Sequence, residues 1–236
     1  MHNEGKGSER KRKEEKVIMQ TYMAKKNKTL KTVTIVIVGI LGLFIIAGFF
    51  TTMKQKGKME EWSKIVAKTA SDLKTGTETK QLYAKGETVD IPMYEYDQMV
   101  QYYTLNDMSE EDAEKNADIY VKERYAIYAE AIREGYDTTE EEIAAYIEEV
   151  KEDMADRKNK ETREMIIKAF GSEEAYWEYE EVLCEIDLPI KNYINSLEEA
   201  YEKENTDAKD SEWAKEFETI KDTLIEKENF QLVSQS

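Results

Sequence analysis

The sequence predicts an all-α protein: one N-terminal transmembrane helix followed by a multi-helix ectodomain. Three observations carry this. Residues 32–52, TVTIVIVGILGLFIIAGFFTT, form an uncharged apolar run. Beyond Met93 the apolar residues recur at helical spacing, punctuated by capping signals and by glycines at the expected helix ends. That same stretch holds no alternating pattern long enough to build a sheet.

At 1.5 Å per residue the apolar run reaches roughly 30 Å, the thickness of a bilayer's hydrocarbon core. Its Val and Ile content would favour a strand in water. In lipid a lone span must satisfy its backbone internally, and only a helix does that. Gly39 and Gly42 are three apart rather than four, so no close-packing dimer seam is indicated. The flanks orient the span. Residues 1–31 hold ten Lys or Arg against four Glu, while only Lys54, Lys56 and Lys58 follow closely on the other side. The positive-inside bias places the tail 1–31 in the cytoplasm and everything after 52 outside. A cleaved signal peptide would need a shorter apolar region and a small-residue cleavage site. A lipoprotein anchor would need a cysteine there, and the single cysteine is Cys184. The expected location is therefore a cell membrane, single-pass, with lipid contact through 32–52.

The net charge of −17 hides two opposite parts. Of 34 basic and 51 acidic residues, 24 and 47 follow the span, a net −23. Such an exterior repels nucleic acid and suits a soluble domain standing away from an anionic surface. One cysteine excludes an internal disulfide framework, and the whole fits a bacterial cell envelope protein. His2 is the sole histidine, so the exterior lacks the usual general base, Ser-His-Asp and Cys-His pairs, and most zinc sites. No calcium loop and no glycine-rich phosphate loop is present. The chain reads as a non-enzyme without cofactor or metal. Cys184, beside Leu183, reads as a packed small residue.

Taken in order, residues 53–80 read as a juxtamembrane helix and linker. Met59, Trp62, Ile65, Val66 and Leu73 stripe the helix, and residues 71–80 break the pattern. Residues 81–92 form an extended strap, since Pro92 biases Ile91 away from helix. A short helix spans about 93–103. The next starts at Ser109, where Ser-Glu-Glu-Asp resembles a capping box, and ends at Gly135; Arg124 alone breaks its apolar spacing. Thr139-Glu-Glu-Glu142 caps a third helix striped by Ile143, Ile147, Val150 and Met154. The polar run 155–163 is an exposed face or a loop. A fourth helix, 163–170, ends at Gly171. A fifth runs from Ser172 to about Tyr201, with a kink or break expected near Asp187 because Pro189 follows. After a turn at 205–210, a last helix spans 211–230 with Trp213, Phe217, Ile220 and Leu224 on its face. Residues 81–236 thus form the helical domain.

The order of these signals is similar to a known family. Residues 109–155, with Ala131-Ile132-Arg133-Glu134-Gly135 followed by Tyr136-Asp137-Thr138-Thr139-Glu140-Glu141-Glu142-Ile143, resemble the N-terminal helical domain of the SurA, PrsA and trigger-factor chaperone group. Phe170-Gly171-Ser172-Glu173-Glu174-Ala175-Tyr176-Trp177 looks like that domain's Gly-Ser/Thr-Glu-Glu-x-Tyr-Trp turn into its following helix. Val89-Asp90-Ile91-Pro92-Met93-Tyr94-Glu95-Tyr96 stands where the family has Val-Asn-Gly, an extended piece and a short helix. The likeness covers about 85–203. It implies a SurA N-terminal-like fold that binds unfolded or newly exported polypeptides. A parvulin domain would need about a hundred more residues with histidines, so isomerase activity is not implied. Tyr and Met make adaptable apolar contacts, and Met99, Tyr102, Tyr103, Tyr125, Tyr128, Met165 and Trp177 are the candidate peptide-binding residues. Each also fits a helical core. The alternative function is a structural or adaptor subunit of an envelope complex that binds one specific partner.

The orientation is testable. With Cys184→Ser and a new cysteine at Gly86 in the strap, an impermeant thiol reagent should label intact cells or spheroplasts. Labelling only after lysis would reverse the topology.

Overall fold

Why the chain breaks into helices where it does is visible at their first turns. In the computed structural model, which describes residues 53–76, 81–155, 160–206 and 210–234, three serine or threonine side chains cap helices as their spacing predicts. Ser109 Oγ accepts from the Asp112 amide at 3.2 Å and donates to the Asp112 carboxylate at 2.7 Å. Thr139 and Glu142 exchange bonds both ways, Glu142 N to Thr139 Oγ1 at 3.2 Å and Thr139 N to Glu142 Oε2 at 2.9 Å. Ser172 Oγ accepts from the Ala175 amide at 3.0 Å. Each cap satisfies a first-turn N–H that the helix itself leaves open. Gly135 and Gly171, with φ of 79° and 81°, close the helices before them in the left-handed region.

The elements are α1 (Met53–Thr75), β1 (Leu82–Lys85), β2 (Asp90–Pro92), α2 (Met93–Leu105), α3 (Glu110–Arg133), α4 (Glu140–Met154), α5 (Lys160–Phe170), α6 (Glu173–Glu204), α7 (Asp210–Glu228) and β3 (Gln231–Leu232). The described chain is mostly helical. The tail 1–31 and the apolar span 32–52 lie outside the described residues. Among the described residues no helix is long and apolar enough to cross a membrane.

Three expectations need correction. α1 continues through Ser71 to Thr75 instead of giving way to a linker. Leu73 packs on the core, and Lys74 pairs with Glu178 of α6 at 2.6 Å, which holds its last turn. α6 does not break at Pro189. The proline removes one backbone donor, yet Pro189 and Ile190 are buried and Asp187 is held by α3, so packing outweighs the missing bond. Finally, the helices are joined by a small sheet. β1 pairs antiparallel with both neighbours in the order β2-β1-β3, so the strap is completed by the C-terminal residues.

Two apolar clusters form the interior. The larger draws Met59, Trp62 and Val66 of α1 together with Met99 of α2, Val121 of α3, Ile147 of α4, Ile166 of α5 and Leu183 of α6. Helix α1 therefore shares its core with the domain that follows it. The smaller cluster joins Ala126, Ile127 and Ala131 of α3 and Ile190, Tyr193 and Ile194 of α6 to Trp213, Phe217 and Leu224 of α7.

The sheet is closed by Glu228, which is fully buried. Its carboxylate accepts from the Val89 amide at 2.9 Å, from the Thr88 amide and from Arg133. Gly86 makes room for this. A Cβ there would lie 2.5 Å from the Val89 carbonyl oxygen and 2.7 Å from Glu228 Oε1. Gly86→Ala should therefore cost about 1–3 kcal/mol of stability through overpacking. An unchanged urea midpoint would show that the strap yields without cost. The labelling cysteine belongs at exposed Glu87 rather than at Gly86.

Candidate functional site

The residues expected to hold a client turn inward. Met99, Tyr125 and Trp177 are 0%, 3% and 8% exposed, and Tyr102, Tyr103, Tyr128 and Met165 pack half-buried against the same cluster. Their partners are one another and the core. Tyr102 stands edge-on to Trp62 at 5.1 Å and to Tyr103 at 5.5 Å, and Tyr125 meets Tyr128 at 6.4 Å. Lys151 sits 5.4 Å over the Trp177 ring. The structure does not gather the seven on one open concave surface. Among the described residues, the large apolar side chains that face solvent are Met108, Ile119, Val182 and Leu232.

What the interior does gather is charge. Arg124 of α3 is buried between Glu95 of α2 and Asp187 of α6. Its Nε donates to Glu95 Oε2 at 3.2 Å and its Nη1 donates to Asp187 Oδ1. Tyr125 OH donates to the other Glu95 oxygen at 2.6 Å. Burial lowers the Arg124 pKa, but Asp187 and Glu95 more than reverse this, holding the guanidinium charged. Burial raises the Asp187 carboxyl, with Arg124 pulling it back down. Tyr120, Gln98 and Tyr179 set further polar ends into the same region.

Glu180 stands nearby on α6, buried and with no cation paired to it among the described residues. Burial pushes its carboxyl up to about 8, with the negative charge of Asp187 adding to the shift and the Tyr176 hydroxyl opposing it. Cys184, one turn further, is raised to about 12 by burial first and then by Glu180 and Asp187. A thiol held so far from ionisation, with its sulfur buried, is a packed residue and a poor nucleophile. Among the described residues no group of His, Cys, Asp and Glu is arranged to hold a metal ion.

Sequence reasoning assigned no pairing or buried role to Glu95, Asp187 or Glu180. The one available signal was Arg124, a charge at an apolar position of α3. Its partners lie 29 and 63 residues away, so no local pattern shows them. Chemically this arrangement can hold α2, α3 and α6 in one register; it offers solvent no reactive group. Comparison with protein-family models, curated proteins and solved structures finds no match for this chain.

Glu180 generates a pH dependence. Its folded pKa exceeds the unfolded value near 4.5, so the folded state keeps a proton that the unfolded state has lost. This contribution to stability is fully present below about pH 4.5 and is lost as pH rises through about 8. Its full size is on the order of a few kcal/mol. Glu180→Gln should flatten the fall in stability between pH 5 and 8 and leave the variant more stable than the parent at pH 9. Denaturant midpoints across that range check it; parallel curves for the two proteins would overturn the assignment.

Proposed function

We propose that this chain is a membrane-anchored, extracytoplasmic adaptor whose acidic helical domain binds one specific partner in a cell-envelope assembly. The observation that carries this reading is the inward packing of the seven Tyr, Met and Trp candidates. A module that holds many unfolded chains needs an adaptable apolar surface left free in the folded state. Here those side chains are spent on the core. The described outer surface is instead dominated by carboxylates, as along Glu140, Glu141, Glu148 and Glu149 of α4. Such a surface selects partners by charge and shape and disfavours the wrong ones.

The anchoring half of the proposal rests on the apolar run 32–52 and the basic tail before it. Helix α1 begins at Met53, next in sequence to that run, and packs into the domain core; a domain so near its anchor suits presentation to a fixed neighbour better than a search for extended clients. The likeness of residues 85–203 to the SurA-type helical domain bears on the shape of the module, and a shape does not set its function.

Breadth of binding separates the two readings. The adaptor should cross-link in membranes to one dominant partner, and an array of unrelated unfolded peptides should not bind it at tens of micromolar. Broad binding on the array would return the chain to the chaperone class. Replacing Tyr102, Tyr103 and Tyr128 together by Ser should lower thermal stability by several degrees or more, because half-buried rings are lost from the core.

A further inference from the structure

Helix α7 occupies the domain much as a bound ligand would. Its Trp213, Phe217 and Leu224 are buried in a cleft whose walls come from α3 and α6. The α3 wall carries Ala126 and Ala131, side chains small enough to admit large rings, and α6 supplies Ile190, Tyr193 and Ile194. Two carboxylates form the rim of the α3 wall, Glu123 half-buried and Glu130 buried and held by Arg133 as well. Glu123 receives Lys221 of α7 at 2.9 Å, and Glu130 receives Lys227 at 2.6 Å. The fit is incomplete. The indole Nε1 of Trp213 is buried without a hydrogen-bond partner. An open hollow of about 360 Å3 runs beside the seam, between Lys122 of α3 and Ile225, Glu226, Asn229 and Phe230.

We infer that the α3–α6 cleft is a docking site for an amphipathic helix of a partner protein, with α7 as its intramolecular competitor. The occupant is specified by what the cleft already holds. It carries two aromatic residues four apart, an aliphatic residue seven further on, and lysines eight and fourteen after the first aromatic, matching Trp213, Phe217, Leu224, Lys221 and Lys227. The rim acids select those lysines, which is the charge complementarity the acidic domain offers generally. This deepens the adaptor reading and rests on it: the partner is a protein with one such helix, read by i, i+4 anchors in a groove. Because α7 is tethered, it competes at an effective concentration on the order of millimolar. A free helix therefore binds the closed domain weakly and the opened domain well. Glu228 keeps the C-terminal end of α7 joined to the strap.

The test uses the full chain in detergent micelles and, as probe, a fluorescein-labelled synthetic peptide of residues 210–230. In Trp213→Ala/Phe217→Ala, which empties the cleft, the peptide should bind at least tenfold more tightly than to the parent. Adding Glu123→Lys and Glu130→Lys should remove most of that gain, and a peptide with both lysines changed to Glu should fail to bind. Should the double alanine variant lose its helical circular dichroism, Lys227→Glu serves instead. It places like charge against Glu130 without leaving a cavity, and it should also raise peptide affinity. A folded opened variant that binds no better than the parent, or binding indifferent to the rim charges, overturns the inference. Failure here beside a single dominant cross-linked partner rejects the cleft alone. Peptide exchange beside broad binding of unfolded chains supports the cleft and rejects only the single-partner reading.

Discussion

The interaction on which the rest of the fold depends is the one that Arg124 makes in the middle of it. A guanidinium buried among helices costs several kcal/mol in lost hydration and is tolerable only where carboxylates meet it in good geometry. Glu95 meets its Nε and Asp187 its Nη1 from two different helices, Tyr125 satisfies the second oxygen of Glu95, and Nη2 stays buried without a hydrogen-bond partner. The consequence is positional. α2, α3 and α6 cannot slide by a residue without leaving a charge unpaired in the interior. Apolar contacts around them would tolerate such a slip far better. The same demand explains why α6 runs through Pro189: the segment that carries Asp187 is held from outside the helix.

Another buried carboxylate performs a similar task near the C-terminal end of the described chain. Glu228 collects the strap amides and Arg133, and the final strand lies against β1. The strap, an extended piece with little apolar surface of its own, thereby becomes part of a sheet. First and last parts of the domain are closed on each other through polar groups, while α1 adds its apolar stripe to the common core. Order in the strap is thus a property of the C-terminal residues as much as of its own.

These constraints bear on function through what they leave outside. With most of its aromatic and sulfur-containing side chains committed to packing, the domain presents carboxylates and few large apolar groups among the described residues. A surface of that kind discriminates by charge and shape. The cleft that α7 fills is the place where apolar burial and rim charge coincide, and for that reason it is where a selective helix would gain most.

The sequence by itself determined what depends on near neighbours. Helix starts at Ser109, Thr139 and Ser172, ends at Gly135 and Gly171, and the stripe of α7 all rest on groups within four residues of one another. The inertness of Cys184 followed from its apolar setting. The extended strap was legible too, because Pro92 acts on its own neighbour. Other features were decided only by tertiary structure. Whether Tyr102, Tyr125 or Trp177 lines a surface or a core depends on which helix covers it, and periodicity reads the same in both cases. Glu95, Asp187 and Glu180 look like any other acids of a chain rich in them until distant segments close around them. The sheet needed residues 231–232 to reach residues 84–85, and α6 runs on through Pro189 where Pro189 and Ile190 are buried and Asp187 is held by Arg124. In each case the deciding free energy comes from desolvation, and desolvation is a property of what packs on a residue, not of the residues beside it in the chain.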